Sequence, residues 1–148
     1  MLIINNEEYF DNRKEISNLL GGDMVKGIAV SKKYPIILLF ANEDELYKDY
    51  FYFKTEVQYC LYTGIGKIGH QDSIENNMYD LNISVLGHKK DKKPLLVFRK
   101  VKNKYQFSGI YSLIETYQNV QVDESNDLRR VFMFNLKKIN NSFQIEKL

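Results

Sequence analysis

Cysteine, histidine and tryptophan are scarce in this sequence of 148 residues, which has one cysteine, two histidines and no tryptophan. The lone Cys60 excludes an internal disulfide framework and a zinc site built from several thiolates. With only His70 and His88, the sequence also argues against a histidine-rich metal site. We therefore expect no metal and no cofactor, and a fold that its hydrophobic core stabilises without crosslinks.

Long hydrophobic segments are also missing. The longest apolar run, residues 36–41, is far shorter than the roughly 20 residues that a membrane-spanning helix needs. The first residues, MLIINNEEYF, lack the basic region followed by an apolar region that marks a secretory signal. These absences predict a cytoplasmic protein without membrane contact, in a compartment where a free cysteine stays reduced.

Aromatic residues are abundant by contrast, because 11 tyrosines and 9 phenylalanines make up 14% of the chain. Net charge is low at +2, and the isoelectric point near 8.5 lies below the value of about 9 typical of nucleic-acid-binding domains. The aromatic content favours a stacking function, whereas the bulk charge does not by itself indicate a nucleic-acid partner.

Periodicity predicts a single domain made mostly of strands. Residues 11–20 have helical spacing, with Asp11 or Asn12 as the N-cap and the Gly21-Gly22 pair as the stop. A second short helix is plausible over residues 79–88. Five or six strand-like segments occupy most of the remainder, without the strand–helix alternation of a βαβ fold. We therefore expect an α+β fold dominated by a curled sheet or small barrel.

Two segments carry residue types that need weighing for function. The GIGKIG segment at residues 64–69 has the glycine spacing of a phosphate-binding loop. The strand–loop–helix context that such a loop needs does not surround it. A loop that presents Lys67 and His70 is therefore the better interpretation. Residues 89–104 contain eight basic residues against Asp91: Lys89, Lys90, Lys92, Lys93, Arg99, Lys100, Lys102 and Lys104. This stretch is either a phosphate-binding face or a solvated strand–turn–strand, and charge alone leaves both open.

The tyrosines concentrate in residues 47–62, at Tyr47, Tyr50, Tyr52, Tyr59 and Tyr62. On strands, most would be core residues or cross-strand pairs. Tyr47 and Asp49 lie in a polar context that a packed core does not explain. An aromatic plane can hold an unstacked base, and a carboxylate can accept a hydrogen bond from the amino group of cytosine.

The order of motifs resembles that of the SRA domain (SET- and RING-associated, or YDG, domain), in the bacterial version joined to an HNH nuclease in McrA-type modification-dependent restriction endonucleases. The resemblance covers residues 10–139. Its matching segments are FDNRKE (residues 10–15), GI (27–28), the apolar strand 36–40, YKD (47–49), YTGIG (62–66) followed by Gly69 and Gln71, Asn82 with His88, the strand 95–98, YQFSGIY (105–111) and the closing strand 131–136.

The resemblance implies a PUA-like pseudo-barrel that binds double-stranded DNA and flips out a 5-methylcytosine or 5-hydroxymethylcytosine. Tyr62 and Tyr47 would cover the two faces of the base, with Tyr50 as the alternative to Tyr47. Asp49 would bond the amino edge, and Thr63 and Gly64 would line the pocket. Lys67, His70 and Gln71 would probe the duplex. The family's phosphate contacts would fall to Lys89, Lys90, Lys92, Lys93, Lys102 and Lys104.

On this interpretation the chain is a recognition module without catalysis, and a fused domain or a partner subunit supplies the nuclease. Its oligomeric state stays open. One alternative is a PUA-like reader of modified RNA or of another DNA modification. A less favoured one is a small nuclease using His70, His88 and Asp49, which would require those side chains to converge. A third is a structural domain without a ligand, in which Tyr47 and Tyr62 pack in the core with no open pocket.

Overall fold

The computed structural model describes residues 1–43 and 48–147. Strands dominate it, and two helices of eight residues each accompany them: α1 (Arg13–Leu20) and α2 (Tyr79–Leu86). The ten strands are β1 (Leu2–Asn5), β2 (Tyr9–Phe10), β3 (Ile28–Val30), β4 (Ile37–Ala41), β5 (Tyr50–Lys54), β6 (Val57–Thr63), β7 (Leu95–Val101), β8 (Lys104–Val122), β9 (Leu128–Asn140) and β10 (Ser142–Ile145). No described helix is long and apolar enough to cross a membrane.

One large sheet organises the domain in the order β3-β4-β7-β8-β9-β6-β5, and β2 pairs with the start of β8. The β4–β7 pair is parallel, and the other pairs along this path are antiparallel. The sheet is strongly curled and remains open between β3 and β5, whereas β1 and β10 form a separate two-stranded sheet. The predicted α+β class with a curled sheet is confirmed.

The curl creates two hydrophobic clusters, one on each face of the sheet. Strands β4 and β7 contribute to both, because successive side chains point to opposite faces. Leu38 and Phe98 belong to the cluster under α1, while Leu39 and Val97 belong to the cluster under α2. Burial on both faces explains why β4 is a continuous apolar run rather than an alternating one.

Helix α1 forms where the sequence predicts it. The Asn12 side chain accepts a hydrogen bond from the Glu15 amide and so caps the N-terminus, and Ile16 and Leu20 bury the inner face. The helix ends at Gly21, whose φ of 82° lies in the left-handed region that favours glycine. This termination turns the chain toward residues 23–26, a loop that borders the candidate site.

The number and extent of the strands differ from the prediction, because the described residues form ten strands instead of five or six. The segment at 142–145 is the strand β10, which pairs with β1. Leu2, Ile4 and Phe143 from this pair are buried in the α1 cluster, so the hydrophobic core includes residues outside the range 10–139 that the resemblance covers. Strands β8 and β9 pair as far as Val122 and Leu128 and form a long hairpin arm.

Candidate nucleic-acid interface

A cavity of about 340 Å³ opens where the parallel strands β4 and β7 end. It lies among the loop 23–26, the segment after β4, the end of β6 and the β7–β8 turn. Its lining residues are Arg13, Val25, Gly27, Phe40, Ala41, Asn42, Asp49, Tyr62, Thr63, Ile65, Lys67, Lys100, Tyr105 and Glu124. The volume falls in the range of small-ligand sites, which is roughly 300–1,000 Å³. The alternative of a ligand-free domain expected Tyr47 and Tyr62 to pack in the core with no open pocket; Tyr62 is packed in the core, but it also lines this cavity.

Asp49 lies in the cavity wall, and only 3% of it is exposed. One carboxylate oxygen accepts the Thr63 amide at 2.7 Å, and the other accepts the Asn42 amide at 2.9 Å. The Asp49 amide donates in turn to the Asn42 carbonyl oxygen at 3.3 Å. These bonds fix a buried carboxylate at the end of β6 and support its negative charge.

Tyr62 also lines the cavity, but its ring is largely embedded in the cluster under α2 and is only 1% exposed. Its hydroxyl donates to the Gly27 carbonyl oxygen at 2.8 Å and lies 3.4 Å from the Phe40 carbonyl oxygen. The ring is therefore a fixed part of the wall rather than a projecting side chain. Tyr47, the expected second cover, lies outside the described residues.

Tyr50 was the alternative to Tyr47, and the structure places it elsewhere. It is the first residue of β5, its ring centroid lies 5.8 Å from that of Tyr52, and it is 49% exposed. It is not among the described residues that line the cavity. Tyr52 stacks on Tyr59 across β5 and β6 at 5.2 Å, so these three tyrosines form a group on the sheet surface.

Thr63 lines the cavity as expected, whereas Gly64 lies behind it. A side chain at Gly64 would collide with the neighbouring amide groups, because a Cβ there would lie 2.6 Å from the Gln71 side-chain oxygen and 2.9 Å from that of Asn82. Gly64 also donates its amide to the Phe132 carbonyl oxygen at 2.8 Å. Gly64 therefore permits close packing of the loop against β9.

The burial of Gln71 corrects the expectation that this residue contacts DNA. Its side chain is fully buried, and its amide group donates to the Gly64 carbonyl oxygen at 2.6 Å while accepting from the Phe132 amide at 2.9 Å. Asn82 makes a similar two-way clamp, to the amide and carbonyl of Ile65 at 2.8 Å each. Both amides satisfy backbone groups of the loop, which we call the 64–71 loop.

The tip of the β8–β9 arm also holds the 64–71 loop. The Asp123 carboxylate accepts the Gly69 amide at 3.0 Å, and this bond is the leading cause that lowers the pKa of Asp123. The buried Arg129 guanidinium donates to the Gly66 carbonyl oxygen. The Glu124 amide donates to the Lys67 carbonyl oxygen at 2.9 Å. The backbone of the loop is thus held by the arm from Gly66 to Gly69.

Residues at the tip of this loop face solvent. Lys67 and Ile68 are exposed, and the Lys67 ammonium lies 4.0 Å from the Glu124 carboxylate in an exposed pair of little energetic weight. His70 is exposed too, and its Nδ1 accepts the Arg130 amide at 3.0 Å. Lys67 and His70 are therefore placed where a bound duplex could reach them.

The basic stretch 89–104 divides into two groups at opposite ends of β7. Lys89, Lys90, Lys92 and Lys93 belong to the turn before the strand, while Lys100, Lys102 and Lys104 lie at its other end. Seven residues of strand separate the groups by roughly 20 Å. Only the second group is at the cavity end, which Lys100 lines. The predicted single phosphate face is therefore two separate basic surfaces.

Arg99 belongs to neither surface. It is half-buried, its guanidinium pairs with Glu43 at 2.7 Å, and it lies 4.8 Å from the ring centroid of Phe51. Lys104 pairs with Asp11 at 3.3 Å but remains exposed.

The groups required for the nuclease alternative do not converge. His88 is buried, with Nδ1 bonded to the Lys93 carbonyl oxygen at 3.0 Å and Nε2 accepting the Leu113 amide at 3.1 Å. His70 contacts β9, and Asp49 bonds the end of β6. Among residues 1–43 and 48–147, no group of three histidine, cysteine, aspartate or glutamate side chains is arranged to hold a metal ion.

Sequence reasoning gave no cavity role to Arg13, Phe40 or Tyr105, and it weighed Lys100 only as part of the basic stretch 89–104. The Arg13 guanidinium carbon lies 3.4 Å from the Phe40 ring centroid, and Phe40 meets Tyr105 edge-on at 5.7 Å. Arg13, Phe40 and Tyr105 each lie in a segment of the resemblance (FDNRKE, residues 36–40 and YQFSGIY), and this was the available signal. The aromatic pair joins distant segments of sequence, so no local pattern could identify it.

Comparison with known proteins agrees with this architecture. A family model described as the ScoMcrA-like SRA domain matches residues 6–146. The solved structure of the sulfur binding domain and SRA domain of ScoMcrA complexed with phosphorothioated DNA superimposes with a TM-score of 0.70 at 18% identity, covering 93% of this chain and 40% of that chain. The chain thus spans less than half of that protein.

Two further solved structures share the fold. The DNA modification-dependent restriction endonuclease AspBHI gives a TM-score of 0.70 at 11% identity, over 97% of this chain and 79% of that chain. The complex of the SUVH5 SRA domain with hemimethylated CG DNA gives 0.65 at 20% identity, over 97% and 94%. No curated protein sequence matches. The family match confirms the resemblance seen in the sequence: this chain belongs to the ScoMcrA-like SRA domain family.

Proposed function

We propose that this chain recognises 5-methylcytosine or 5-hydroxymethylcytosine in double-stranded DNA by flipping the base into the cavity at Asp49. The observation that carries the proposal is the buried Asp49 carboxylate, which two backbone amides hold at the wall of an open cavity. A buried charge is costly, and its retention in a cavity wall favours a binding role.

The chemistry of Asp49 suits the amino edge of cytosine. The Asp49 carboxylate accepts backbone amides at 2.7 Å and 2.9 Å, and an ionised carboxylate only accepts hydrogen bonds, as a partner of an amino group must. Cytosine presents an amino donor at this edge, whereas thymine presents a carbonyl acceptor that a carboxylate would repel. Asp49 would therefore select cytosine over thymine.

Aromatic groups around the cavity would enclose the base. Tyr62 forms part of the wall, and Phe40 and Tyr105 lie beside it. Flipping a base costs a few kcal/mol, which stacking at roughly 1–3 kcal/mol per base and phosphate contacts would offset. Tyr47 remains our candidate for the second face of the base.

The exposed lysines and His70 at the cavity end would contact phosphates on either side of the flipped nucleotide. Lys67 and His70 lie on the 64–71 loop, and Lys102 and Lys104 are exposed at the β7–β8 turn next to Lys100. The lysines at positions 89, 90, 92 and 93 lie at the other end of β7. They would meet the same DNA only if it extended across the domain.

The setting we propose is a modification-dependent restriction system in which this chain is the recognition module. Its fold matches that of the restriction endonuclease AspBHI, and its family is named for ScoMcrA, whose SRA domain was solved beside a sulfur binding domain. The nuclease would belong to a fused domain or to a partner subunit, and this chain would not be catalytic.

A titration across modified nucleic acids tests the proposal. Duplexes of one sequence carrying 5-methylcytosine, 5-hydroxymethylcytosine, plain cytosine or a phosphorothioate linkage would be compared with a modified RNA at fixed salt. We expect the two cytosine modifications to bind most tightly, at roughly fivefold over plain cytosine, since one buried methyl contributes on the order of 1 kcal/mol. Preference for the phosphorothioate or for RNA would contradict the proposal.

The substitution Asp49→Asn tests whether the modified base is recognised in this cavity. It should lower affinity for the modified duplex about tenfold, because a base-edge contact contributes roughly 1–3 kcal/mol, and should leave weak salt-dependent binding in place. The control is Asp80→Asn, which removes the same charge from the exposed first turn of α2. Equal affinities of the two variants for the modified duplex would exclude Asp49 from the site.

A further inference from the structure

Arg13, the first residue of α1, ties the helix to the loop 23–26. One guanidinium nitrogen, Nη2, donates to the Asp23 and Lys26 carbonyl oxygens, both at 2.8 Å. These two carbonyls stand at the two ends of the loop, so a single side chain fixes its span. The planar arrangement of guanidinium donors suits such a double contact, which an ammonium group on a flexible stem cannot reproduce with the same geometry.

The Arg13 guanidinium is itself held by an aromatic stack. It lies 3.4 Å above the Phe40 ring centroid, and Phe40 stacks on Phe98 at 5.3 Å with an interplanar angle of 19°. Burial is the main cause that lowers the pKa of Arg13, although the group stays charged at neutral pH. The aromatic stack therefore gives the guanidinium a rigid base from which to hold the loop.

The loop has its own internal bonds and a fixed exit. One Asp23 carboxylate oxygen accepts the amides of Val25 and Lys26, each at 2.7 Å. The carbonyl oxygen of Gly27, just after the loop, accepts the Phe40 amide at 2.8 Å in addition to the Tyr62 hydroxyl. The loop is thus internally bonded, and the Arg13 side chain joins it to α1.

This loop forms a wall shared by two cavities. Val25 is 86% exposed and lines the cavity of Asp49 and also an adjacent cavity of about 410 Å³. Gly27, Ile65 and Lys67 line both cavities as well. The position of residues 23–26 therefore sets how the space beside Asp49 is divided.

We propose that Arg13 is a positioning residue that fixes the loop 23–26 as a wall of the base cavity and thereby sets discrimination between modified and plain cytosine. This inference rests on the proposed function of the cavity. Arg13 acts through the loop and would not need to contact the base.

The test compares Arg13→Lys with wild type in two measurements. Hydrogen exchange at the Val25 and Lys26 amides reports the loop, and the affinity ratio of modified to plain duplex reports discrimination. We expect roughly fivefold faster exchange at these two amides, with unchanged protection in β4 and β7, and a ratio reduced toward one. The salt dependence of plain-duplex binding should not change, since Arg13→Lys keeps the positive charge at this position.

The matched control is Lys33→Gln. Lys33 also places its cation near an aromatic ring, 5.7 Å from the centroid of Tyr34, and donates to the Asn18 carbonyl oxygen of α1 at 3.3 Å. The Lys33→Gln variant should show wild-type hydrogen exchange at the Val25 and Lys26 amides and the wild-type affinity ratio. If Arg13→Lys does not fold, Asp23→Ala releases the same loop from within and should give the same pair of changes.

Each outcome is decisive. Faster exchange at the loop with a reduced ratio supports the inference, while wild-type exchange at Val25 and Lys26 overturns it. Faster exchange with an unchanged ratio overturns the link to discrimination. If wild-type protein itself shows no preference for modified DNA, the proposed function fails, and loop exchange alone then decides whether Arg13 positions the loop.

Discussion

At the scale of single residues, sequence indicated chemical type better than location. Asp49 was expected in a polar context that a packed core does not explain, whereas its carboxylate is buried against the amides of Asn42 and Thr63, which folding brings together. Gln71 is a second buried polar residue of this kind. Its polar side chain suggested an exposed loop contact, yet the loop's buried backbone groups require its amide. Residue type alone does not show whether a polar side chain faces solvent or bonds buried backbone groups.

Buried His88 yields a prediction about pH. Burial is the main cause that lowers its pKa in the folded protein, followed by the charge of Lys89, against the bond to the Lys93 carbonyl that raises it. As pH falls, the unfolded chain therefore takes up the proton first. The His88 contribution to the free energy of unfolding is complete above a pH of about 6.5 and declines below it, by at most about 1.4 kcal/mol per pH unit.

Chemical denaturation at several pH values between 7.5 and 5.5 measures this effect. Wild type should lose stability over the range, and His88→Gln should show a shallower decline because the titrating group is gone. His70→Gln is the control, since it removes the other histidine from an exposed position, and it should behave like wild type. An equally steep decline in His88→Gln would show that other groups cause the pH dependence.

At the scale of elements, local signals succeeded and long-range pairings did not. Helix α1 was predictable because its cap, its buried face and its terminating glycine lie within ten residues. Strands β1 and β10 were missed because each has four residues and is stabilised by a partner at the other end of the chain. The length of the β8–β9 arm was likewise not predictable, since the outer half of β8 is mostly exposed and gives little hydrophobic alternation.

The arm has a specific role that a substitution can test. Asp123 at its tip bonds Gly69, so Asp123→Asn should weaken the support of the 64–71 loop. We expect several-fold faster hydrogen exchange at the Gly69 amide and weaker binding of modified duplex, with the β8–β9 strands still protected. Asp127→Asn, an exposed neighbour in the same turn, should leave Gly69 exchange unchanged. Identical exchange in the two variants would mean that the arm tip does not hold the loop.

At the scale of the whole molecule, the folded path of the chain separates charges that are close together in the sequence. A stretch that looks like one basic cluster in sequence is divided by β7, and only its second part reaches the cavity end. The curl of the sheet has a similar effect, because it brings Arg13 of α1, Asp49 before β5 and Tyr105 of β8 to one cavity. The family resemblance anticipated the cavity, while its full lining required the fold.

The central claim is that a modified cytosine leaves the duplex and enters the cavity at Asp49. A crystal structure of this chain with a duplex containing one 5-methylcytosine tests it most directly. We predict that the methylated base lies outside the helix, with its amino nitrogen within about 3 Å of an Asp49 carboxylate oxygen. A methylated base still stacked and paired within the duplex, with the cavity empty, would contradict the account.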